Sequence, residues 1–146
     1  IEWVDVRFTD PRGKWQHLSM CAGVIDEDVL EEGFMFDGSS IEGWKAINES
    51  DMILRPDLDA MYMDPFSATP MMILVCNIVE PGDGSLYNRD PRSTSVRAEA
   101  YLKSTGIGDT IYVGPEPEFF MFDDVKFENG YDRSSFQIDD IELPTN

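Results

Sequence analysis

The chain has little of the residue types on which many active sites depend. Its 146 residues include one histidine and two cysteines. The single histidine, His17, lies in an alternating, strand-like segment and gives poor support for a histidine-based catalytic triad. Cys21 and Cys76 are far apart and lack metal-ligand spacing. We therefore expect each to behave as a small buried hydrophobe in a reducing compartment, and we predict a cytoplasmic protein.

Positive charge and long apolar runs are also scarce. The chain carries 11 basic against 29 acidic residues, a formal net charge of −18. Such a field repels nucleic acid and anionic membranes, so we expect neither as a partner. The longest apolar run, residues 70–76, is far shorter than a membrane span, and the sequence shows no signal peptide. Strand-like sequence begins at Ile1 and no closing element precedes Asn146, so we expect a chain cut at both ends.

Apolar and aromatic residues are plentiful despite the acidity. The composition is 42% hydrophobic, with nine Phe, five Tyr and three Trp. A disordered chain of high charge would contain few such residues. We therefore predict a folded protein with a substantial core.

The first 80 residues contain the signals of a small α+β domain. Residues 2–8 and 15–20 alternate apolar and polar side chains around a turn, which predicts a hairpin. Asp26 is placed to cap a short helix that ends before Gly33. Residues 34–59 show little regular periodicity, and a loop this long in a compact domain is usually functional or disordered. Two further strands are predicted near 60–64 and 71–80, and the four strands and one helix indicate a β-grasp fold.

A second domain is predicted to begin after the turn-forming segment 81–85. Asp90 and Pro91 have the signature of a helix N-cap and first turn, and Gly106 that of a helix stop. We assign residues 1–85 to the β-grasp domain. Residues 86–146 are assigned to the beginning of an incomplete α/β domain, represented by its first helix and strand.

The segment from Gly114 to Phe120 carries two carboxylates in an apolar and aromatic setting. If Glu116 and Glu118 lie on a strand, their side chains share one face, about 6–7 Å apart. A glutamate pair of this kind is usually the solvated face of a half-buried sheet. Here the flanking residues do not alternate with polar ones, and burying two neighbouring charges is costly unless cations compensate them. The pair therefore predicts a site for two oxygen-ligated metal ions.

Six short segments of the chain stand out as a set: residues 3–10 (WVDVRFTD), 35–41 (MFDGSSI), 43–45 (GWK), 47–52 (INESDM), 89–93 (RDPRS) and 114–120 (GPEPEFF). Taken together, they resemble bacterial type I glutamine synthetases. Any one segment alone could occur by chance, but they follow the order of that family and cover nearly the whole sequence.

The resemblance implies a catalytic reaction and a set of site residues. Members of the family use ATP to make γ-glutamyl phosphate, which ammonia attacks to give glutamine. Glu116 and Glu118 match the first two metal-ligand glutamates, one for each of two Mg²⁺ or Mn²⁺ ions. Asp37 matches the aspartate that binds and deprotonates ammonium, while Ser40 and Trp44 lie on the same loop and are expected to shape it. Read without the resemblance, Asp37 is a turn aspartate before Gly38.

The resemblance also implies an assembly and an incomplete site. Subunits of the family form two stacked hexameric rings, and the loop aspartate serves the active site of the next subunit. The remaining metal ligands and the ATP and glutamate pockets lie beyond Asn146, so we expect this chain alone to be inactive. Glu42 departs from the family, which generally has a small residue at that loop position. Asp51 has a weaker claim to a role, because it could equally be a cap or a loop acceptor.

Two other functions remain open at this point. The parent protein could be a γ-glutamyl ligase that uses an amine other than ammonia, although the Asp37 loop favours ammonia. It could also be a non-catalytic relative that keeps the fold for assembly or binding. The clustered carboxylates argue against that second alternative, because a purely structural descendant has no need of them.

Overall fold

The structure, a computed structural model, describes residues 1–142 of the chain. The chain divides into two compact units, of which the first covers residues 1–111 and the second begins at Tyr112. Each unit is described separately below. The last four positions of the predicted second domain, residues 143–146, lie outside the described residues.

The first unit is built around a mixed sheet. Its strands are β1 (Trp3–Thr9), β2 (Trp15–Cys21), β3 (Phe34–Asp37), β4 (Asp51–Met63) and β5 (Met71–Val79). Its α-helices are α1 (Glu27–Glu32) and α2 (Pro91–Thr105), and short 3₁₀ turns cover Ala22–Val24, Gly38–Ser40 and Ile47–Glu49. The strand order across the sheet is β2-β1-β5-β4-β3. Only β1 and β5 pair in parallel, and the other neighbours are antiparallel.

The predicted hairpin is confirmed by the pairing of β1 with β2, in which Trp3 lies opposite Cys21 and Thr9 opposite Trp15. Asp10 holds the turn between them, because its carboxylate accepts hydrogen bonds from the amides of Arg12 and Lys14. Every second residue of β1 faces the core, as the two-residue period of a strand requires. The lowered pKa of Asp10, caused chiefly by the hydrogen bond from Gln16, agrees with this tightly held turn.

The number of strands differs from the prediction. Five strands form where the sequence pattern indicated four, and the irregular segment is residues 38–50 rather than 34–59. The short strand β3 was hidden because it spans only four residues between two glycines, Gly33 and Gly38. The first half of β4 was hidden by Pro56, which lies where the register between β4 and β5 shifts. Proline is tolerated at such an irregularity because the ladder is already interrupted there.

The core lies on one face of this sheet and is strongly apolar. Burial there stabilises the unit through the hydrophobic effect, at roughly 25 cal/mol per Å² of apolar surface removed from water. The central strands β1, β4 and β5 supply most of it. Their buried side chains are Val4, Val6, Phe8, Met52, Leu54, Leu74, Cys76 and Ile78.

The two cysteines differ in environment. Cys76 is fully buried, as expected, and desolvation raises the pKa of its thiol to about 12. Cys21 is exposed, so the prediction that it too is buried was wrong. The reason is its place at the end of β2, which is an edge strand of the sheet and leaves that position uncovered.

Both predicted helices form with their predicted caps. The Asp26 carboxylate accepts a hydrogen bond from the Val29 amide, and Gly33 follows α1 with a φ of 91°. Asp90 caps α2, Pro91 occupies its first turn, and Gly106 ends it in the left-handed conformation. Asp90 also accepts a hydrogen bond from the Ile78 amide of β5, so this cap ties the helix to the sheet. No helix of the described residues is long and apolar enough to cross a membrane.

The second unit contains one two-stranded antiparallel sheet in its described part, formed by β6 (Asp124–Asn129) and β7 (Ser134–Asp139). The strand predicted to carry Glu116 and Glu118 is not formed. Residues 107–123 belong to neither helix nor strand. A strand requires a hydrogen-bonded neighbouring strand, and residues 114–120 take part in neither of the sheets formed within residues 1–142. The strands of this unit come later in the chain than the sequence pattern indicated.

Candidate functional site

Asp37 lies at the point where regular structure gives way to the irregular segment. It is the last residue of the edge strand β3 and stands opposite Asp51 in the register with β4. The 3₁₀ turn Gly38–Ser40 follows at once, with Asp37 as its N-cap. The side chain of Asp37 is exposed to solvent. A carboxylate placed in this way is accessible to a cation.

The Asp37 carboxylate is held by Ser39. Its Oδ1 accepts hydrogen bonds from the Ser39 hydroxyl at 2.6 Å and from the Ser39 amide at 2.9 Å. The hydroxyl of Ser39 and then its amide lower the pKa of Asp37, and the Ser50 side chain adds to the effect. Asp37 is therefore a carboxylate rather than a carboxylic acid near neutral pH. Ser39 and Ser50 were not singled out by the sequence, although an Asp-x-Ser spacing is the signal that could have revealed Ser39.

Gly38 explains why the chain can turn so closely after Asp37. Its amide donates to the Ser50 carbonyl at 2.7 Å. A Cβ atom at this position would lie 2.5 Å from the Met52 sulfur and 3.1 Å from the Ser50 oxygen. Met52 itself is completely buried. The close backbone approach thus depends on the absence of a side chain at residue 38.

Trp44, near the middle of the irregular segment 38–50, is anchored in the core. It is 6% exposed, and its ring lies 5.6 Å from that of Phe8 and 5.4 Å from that of Tyr87, measured between centroids. Phe36 of β3 packs against the same cluster, 6.1 Å from Trp44. The indole nitrogen has no hydrogen-bond partner among residues 1–142. The contacts of Trp44 are thus those of a packing residue.

Two cations fasten the loop to the segments that follow β5. The Arg89 guanidinium donates to the carbonyl oxygens of Gly43 and Trp44, at 2.5 Å and 3.2 Å. Lys45 Nζ binds both carboxylate oxygens of Glu80 at 2.9 Å. The Glu80 hydrogen bond raises the pKa of Lys45, as expected for an ammonium group with a carboxylate partner. Arg89 joins segments 45 residues apart, and its role could not be read from local sequence.

The other predicted loop residues lie at the surface. Ser40 is exposed at the end of the 3₁₀ turn. Glu42, the departure from the family pattern, pairs with Arg12 at 2.7 Å, and both side chains are about three-quarters exposed. A pair so exposed contributes little stability. Asp51 is exposed and lies beside Asp37 across the strand pair.

Glu116 and Glu118 belong to the second unit. Both side chains are exposed, and so are their neighbours Phe119 and Phe120, at 80% and 86%. Carboxylate oxygens are the donors that Mg²⁺ and Mn²⁺ prefer, so the chemistry of the pair fits such ions. Two carboxylates supply fewer ligands than an octahedral ion requires. Within residues 1–142, no group of three or more His, Cys, Asp or Glu side chains is placed to hold a metal ion.

His17 lies near the buried carboxylate of Asp5 on β1. The carboxylate accepts hydrogen bonds from Ser19 Oγ at 2.5 Å and Arg7 Nε at 2.7 Å, and His17 Nδ1 lies 2.8 Å away. Burial raises the pKa of Asp5, but these three partners together outweigh it, so the pKa is lowered. His17 thus has the structural or surface role that its sequence context predicted.

Two family models match the chain. The model for "Glutamine synthetase, beta-Grasp domain" matches residues 1–81, and that for "Glutamine synthetase, catalytic domain" matches residues 88–144. The fold and these two matches thus define a β-grasp domain joined to part of a second domain. The chain belongs to the glutamine synthetase family.

Relatives and solved structures agree with this assignment. The glutamine synthetase of Rhizobium meliloti is 56% identical over all 146 residues, which are 31% of that protein. That of Pseudomonas aeruginosa is 57% identical over 139 residues, covering 94% of this chain and 30% of the relative. The chain therefore spans less than a third of the length of these relatives.

Among solved structures, the cryo-EM structure of Plasmodium falciparum glutamine synthetase has a TM-score of 0.77 at 23% identity. The match covers 96% of this chain and 27% of that one. A GmaS/ADP complex has a TM-score of 0.65 at 20% identity, covering 72% of this chain and 24% of the other. At these identities the structural likeness concerns the fold alone, and it confirms the predicted β-grasp architecture.

Proposed function

We propose that this chain is the N-terminal part of an enzyme that ligates ammonia to glutamate with ATP, through γ-glutamyl phosphate. The observation that carries the proposal is the 56% identity with glutamine synthetases over every residue of the chain. The motifs around Asp37, Glu116 and Glu118 all lie within that matched length.

Asp37 is the proposed catalytic residue of this chain. Ammonium is a small cation, and an exposed carboxylate with a lowered pKa attracts it through charge. The same carboxylate accepts a proton from ammonium and so produces the nucleophile, ammonia. Ser40 and Trp44 are proposed to shape the loop, Trp44 through its packing in the aromatic cluster.

Glu116 and Glu118 are the proposed ligands of two divalent ions, Mg²⁺ or Mn²⁺. Bound to phosphates, such ions neutralise the charge that develops when a phosphoryl group is transferred to a carboxylate. The two glutamates contribute oxygen ligands, and other parts of the parent protein complete the coordination. ATP is the proposed co-substrate.

The parent protein is proposed to assemble as two hexameric rings in the cytoplasm, with each active site between adjacent subunits. Asp37 would then serve a neighbouring subunit. We divide the chain after residue 85 into a β-grasp domain and the beginning of a catalytic domain. The chain alone is proposed to be inactive, because it spans only 31% of the length of its relatives.

The direct test is formation of γ-glutamyl hydroxamate and of glutamine by the full-length parent protein and its variants. We expect Asp37→Asn to lower the rate with ammonia by about 10²- to 10⁴-fold, the usual range for loss of a general base. Asp83→Asn is the matched control, since Asp83 is also exposed and is held by a serine two residues later. Equal rates for wild type and Asp37→Asn would contradict the role of Asp37. A wild-type protein that forms neither product would contradict the proposed reaction.

The same protein separates the alternatives. Replacing ammonia by methylamine or a polyamine distinguishes a ligase for bulkier amines, which would prefer one of those acceptors. Calorimetric titration with Mn²⁺ and ATP distinguishes a non-catalytic relative, for which no binding is expected. Hydroxamate formation by the 146-residue chain alone would contradict its proposed inactivity.

A further inference from the structure

Ser39 donates two hydrogen bonds to Asp37, and the Ser50 side chain has a smaller effect on the pKa of the carboxylate. Both the hydroxyl and the amide of Ser39 donate to Oδ1, at 2.6 Å and 2.9 Å, and neither bond uses Oδ2. The amide bond belongs to the turn itself and would persist with any residue other than proline at position 39. The hydroxyl bond depends on the side chain. It is the shorter of the two and the largest cause of the lowered pKa of Asp37.

The neighbouring strand and the turn before it carry further acidic residues. Asp51 lies directly opposite Asp37 in the register of β3 and β4, and Glu49 precedes β4 in the chain. Like charges on neighbouring strands disfavour ionisation of one another. The cation of the same loop, Lys45, is engaged by Glu80. Donors from Ser39 and Ser50 lower the pKa of Asp37 and outweigh desolvation, which raises it.

We propose that Ser39 is a positioning residue, which fixes the Asp37 carboxylate through Oδ1 and directs Oδ2 to the ammonium ion. The role ascribed to ammonium rests on the proposed function, whereas the hold of Ser39 on Asp37 does not. A carboxylate without this donor rotates more freely and binds a small cation less well. Ser39 itself does not touch the substrate.

A second turn in the same chain provides an internal control. Asp83 accepts a hydrogen bond from the Ser85 amide at 2.9 Å, and the Ser85 amide and side chain lower its pKa. The Asp83 turn has the same Asp-x-Ser spacing as the Asp37 turn but lies after β5. Ser39→Ala and Ser85→Ala therefore make the same chemical change in two comparable turns.

The hold on Asp37 is tested by NMR titration of aspartate side-chain carboxyl carbons in the 146-residue chain, from about pH 2 to 6. We expect Ser39→Ala to raise the pKa of Asp37 and leave that of Asp83 unchanged. Ser85→Ala should raise the pKa of Asp83 alone. Ser39→Thr keeps the hydroxyl and should restore the wild-type value for Asp37. An unchanged pKa of Asp37 in Ser39→Ala would overturn the proposal.

The consequence for substrate is tested in the full-length parent protein. Ser39→Ala should raise KM for ammonium by roughly ten-fold, as expected for a lost hydrogen bond to a charged group, with a smaller effect on kcat. Ser39→Thr should restore KM, and Ser85→Ala should match wild type. An unchanged KM in Ser39→Ala would overturn the positioning role. If Asp37→Asn also leaves KM and kcat unchanged, the proposed function of Asp37 fails. The NMR titration would still show whether Ser39 holds the Asp37 carboxylate.

Discussion

At the scale of single residues, the position of Asp37 depends on a glycine with a negative φ. The φ of Gly38 is not positive, so other residue types could adopt its backbone conformation. The constraint is space, because the backbone of residue 38 approaches Ser50 and the buried side chain of Met52. A residue of any other type must displace one of these groups.

Gly38→Ala should therefore destabilise the first unit by about 1–3 kcal/mol, the usual cost of overpacking a core. The added methyl would push Met52 aside and move the turn that carries Asp37. Urea unfolding followed by tryptophan fluorescence measures the change, since Trp3, Trp15 and Trp44 all lie in the first unit.

Gly82→Ala is the matched control. A Cβ at residue 82 would have no neighbour within 4 Å, and its φ is not positive. Its stability should be unchanged or slightly higher, because alanine restricts the unfolded chain. If Gly38→Ala were as stable as Gly82→Ala, the close contact with Met52 would not constrain the loop.

At the scale of elements, two helix caps show that the contribution of an N-cap aspartate to stability depends on its tertiary surroundings. Asp26 and Asp90 both accept hydrogen bonds from amides in the first turn of their helices. Asp26 is exposed, whereas Asp90 is completely buried. Asp90 also accepts bonds from the Ser93 hydroxyl at 2.9 Å and from the Ile78 amide of β5 at 3.2 Å. Its removal would leave a strand amide and a helix end without a partner.

Asp90→Ala should cost about 2–4 kcal/mol, because the loss of a cap adds to the cost of an unsatisfied buried donor. Asp26→Ala should cost about 1 kcal/mol, since only an exposed cap is lost. Chemical denaturation of both variants measures the difference. Similar losses in the two variants would show that the bond to Ile78 contributes nothing.

At the scale of the whole molecule, the excess of acidic residues makes the protein sensitive to pH. Repulsion among the charges that give −18 opposes the compact state. Asp5 instead stabilises the folded state, because it is buried and its hydrogen-bond partners favour its ionised form. A carboxyl group with a lowered pKa in the folded state stabilises that state above its unfolded pKa. This contribution is lost as the pH falls through the folded value.

Asp5→Asn should therefore destabilise the first unit by about 2 kcal/mol at neutral pH, the range for hydrogen bonds to a charged group. The deficit should shrink as the pH falls below the ordinary aspartate value of 3.8. Urea unfolding of both proteins at several pH values, followed by tryptophan fluorescence, checks this. A deficit that stays constant with pH would show that the charge of Asp5 contributes nothing. Asp59→Asn, at an exposed position of β4, is the control and should show no comparable deficit.

The two helices, which local sequence signals specify, were predicted most accurately. Asp26 with Gly33, and Asp90 with Pro91 and Gly106, marked both helices because cap chemistry operates within a few residues. The strand predicted at Glu116 and Glu118 failed for the opposite reason. Apolar and aromatic residues favour a strand, but a strand forms only against a partner. Such a partner is not encoded in the segment itself.

The candidate site likewise combines residues that the sequence identified with contacts that it did not. Its motifs, and with them Asp37, Ser40, Trp44, Glu116 and Glu118, were identified from the order of short segments in the sequence. Their roles remain predictions. The contacts that hold the Asp37 loop were not foreseen, because Arg89 reaches Gly43 and Trp44 across 45 residues or more. Ser39 was overlooked although its Asp-x-Ser spacing was visible, because its hydrogen bonds to Asp37 are seen only in the folded turn.

The sequence by itself determined that a substantial core forms, the two helices with their caps, the hairpin and membership of a family. Each depends on neighbours in the chain, on residue type or on the order of motifs. Only the tertiary structure decided that β3 forms the edge of a five-stranded sheet and that Asp90 ties a helix to β5. It also decided that Asp37 is held by Ser39 while Gly38 packs against Met52. These features depend on distances between atoms that only the folded chain brings together.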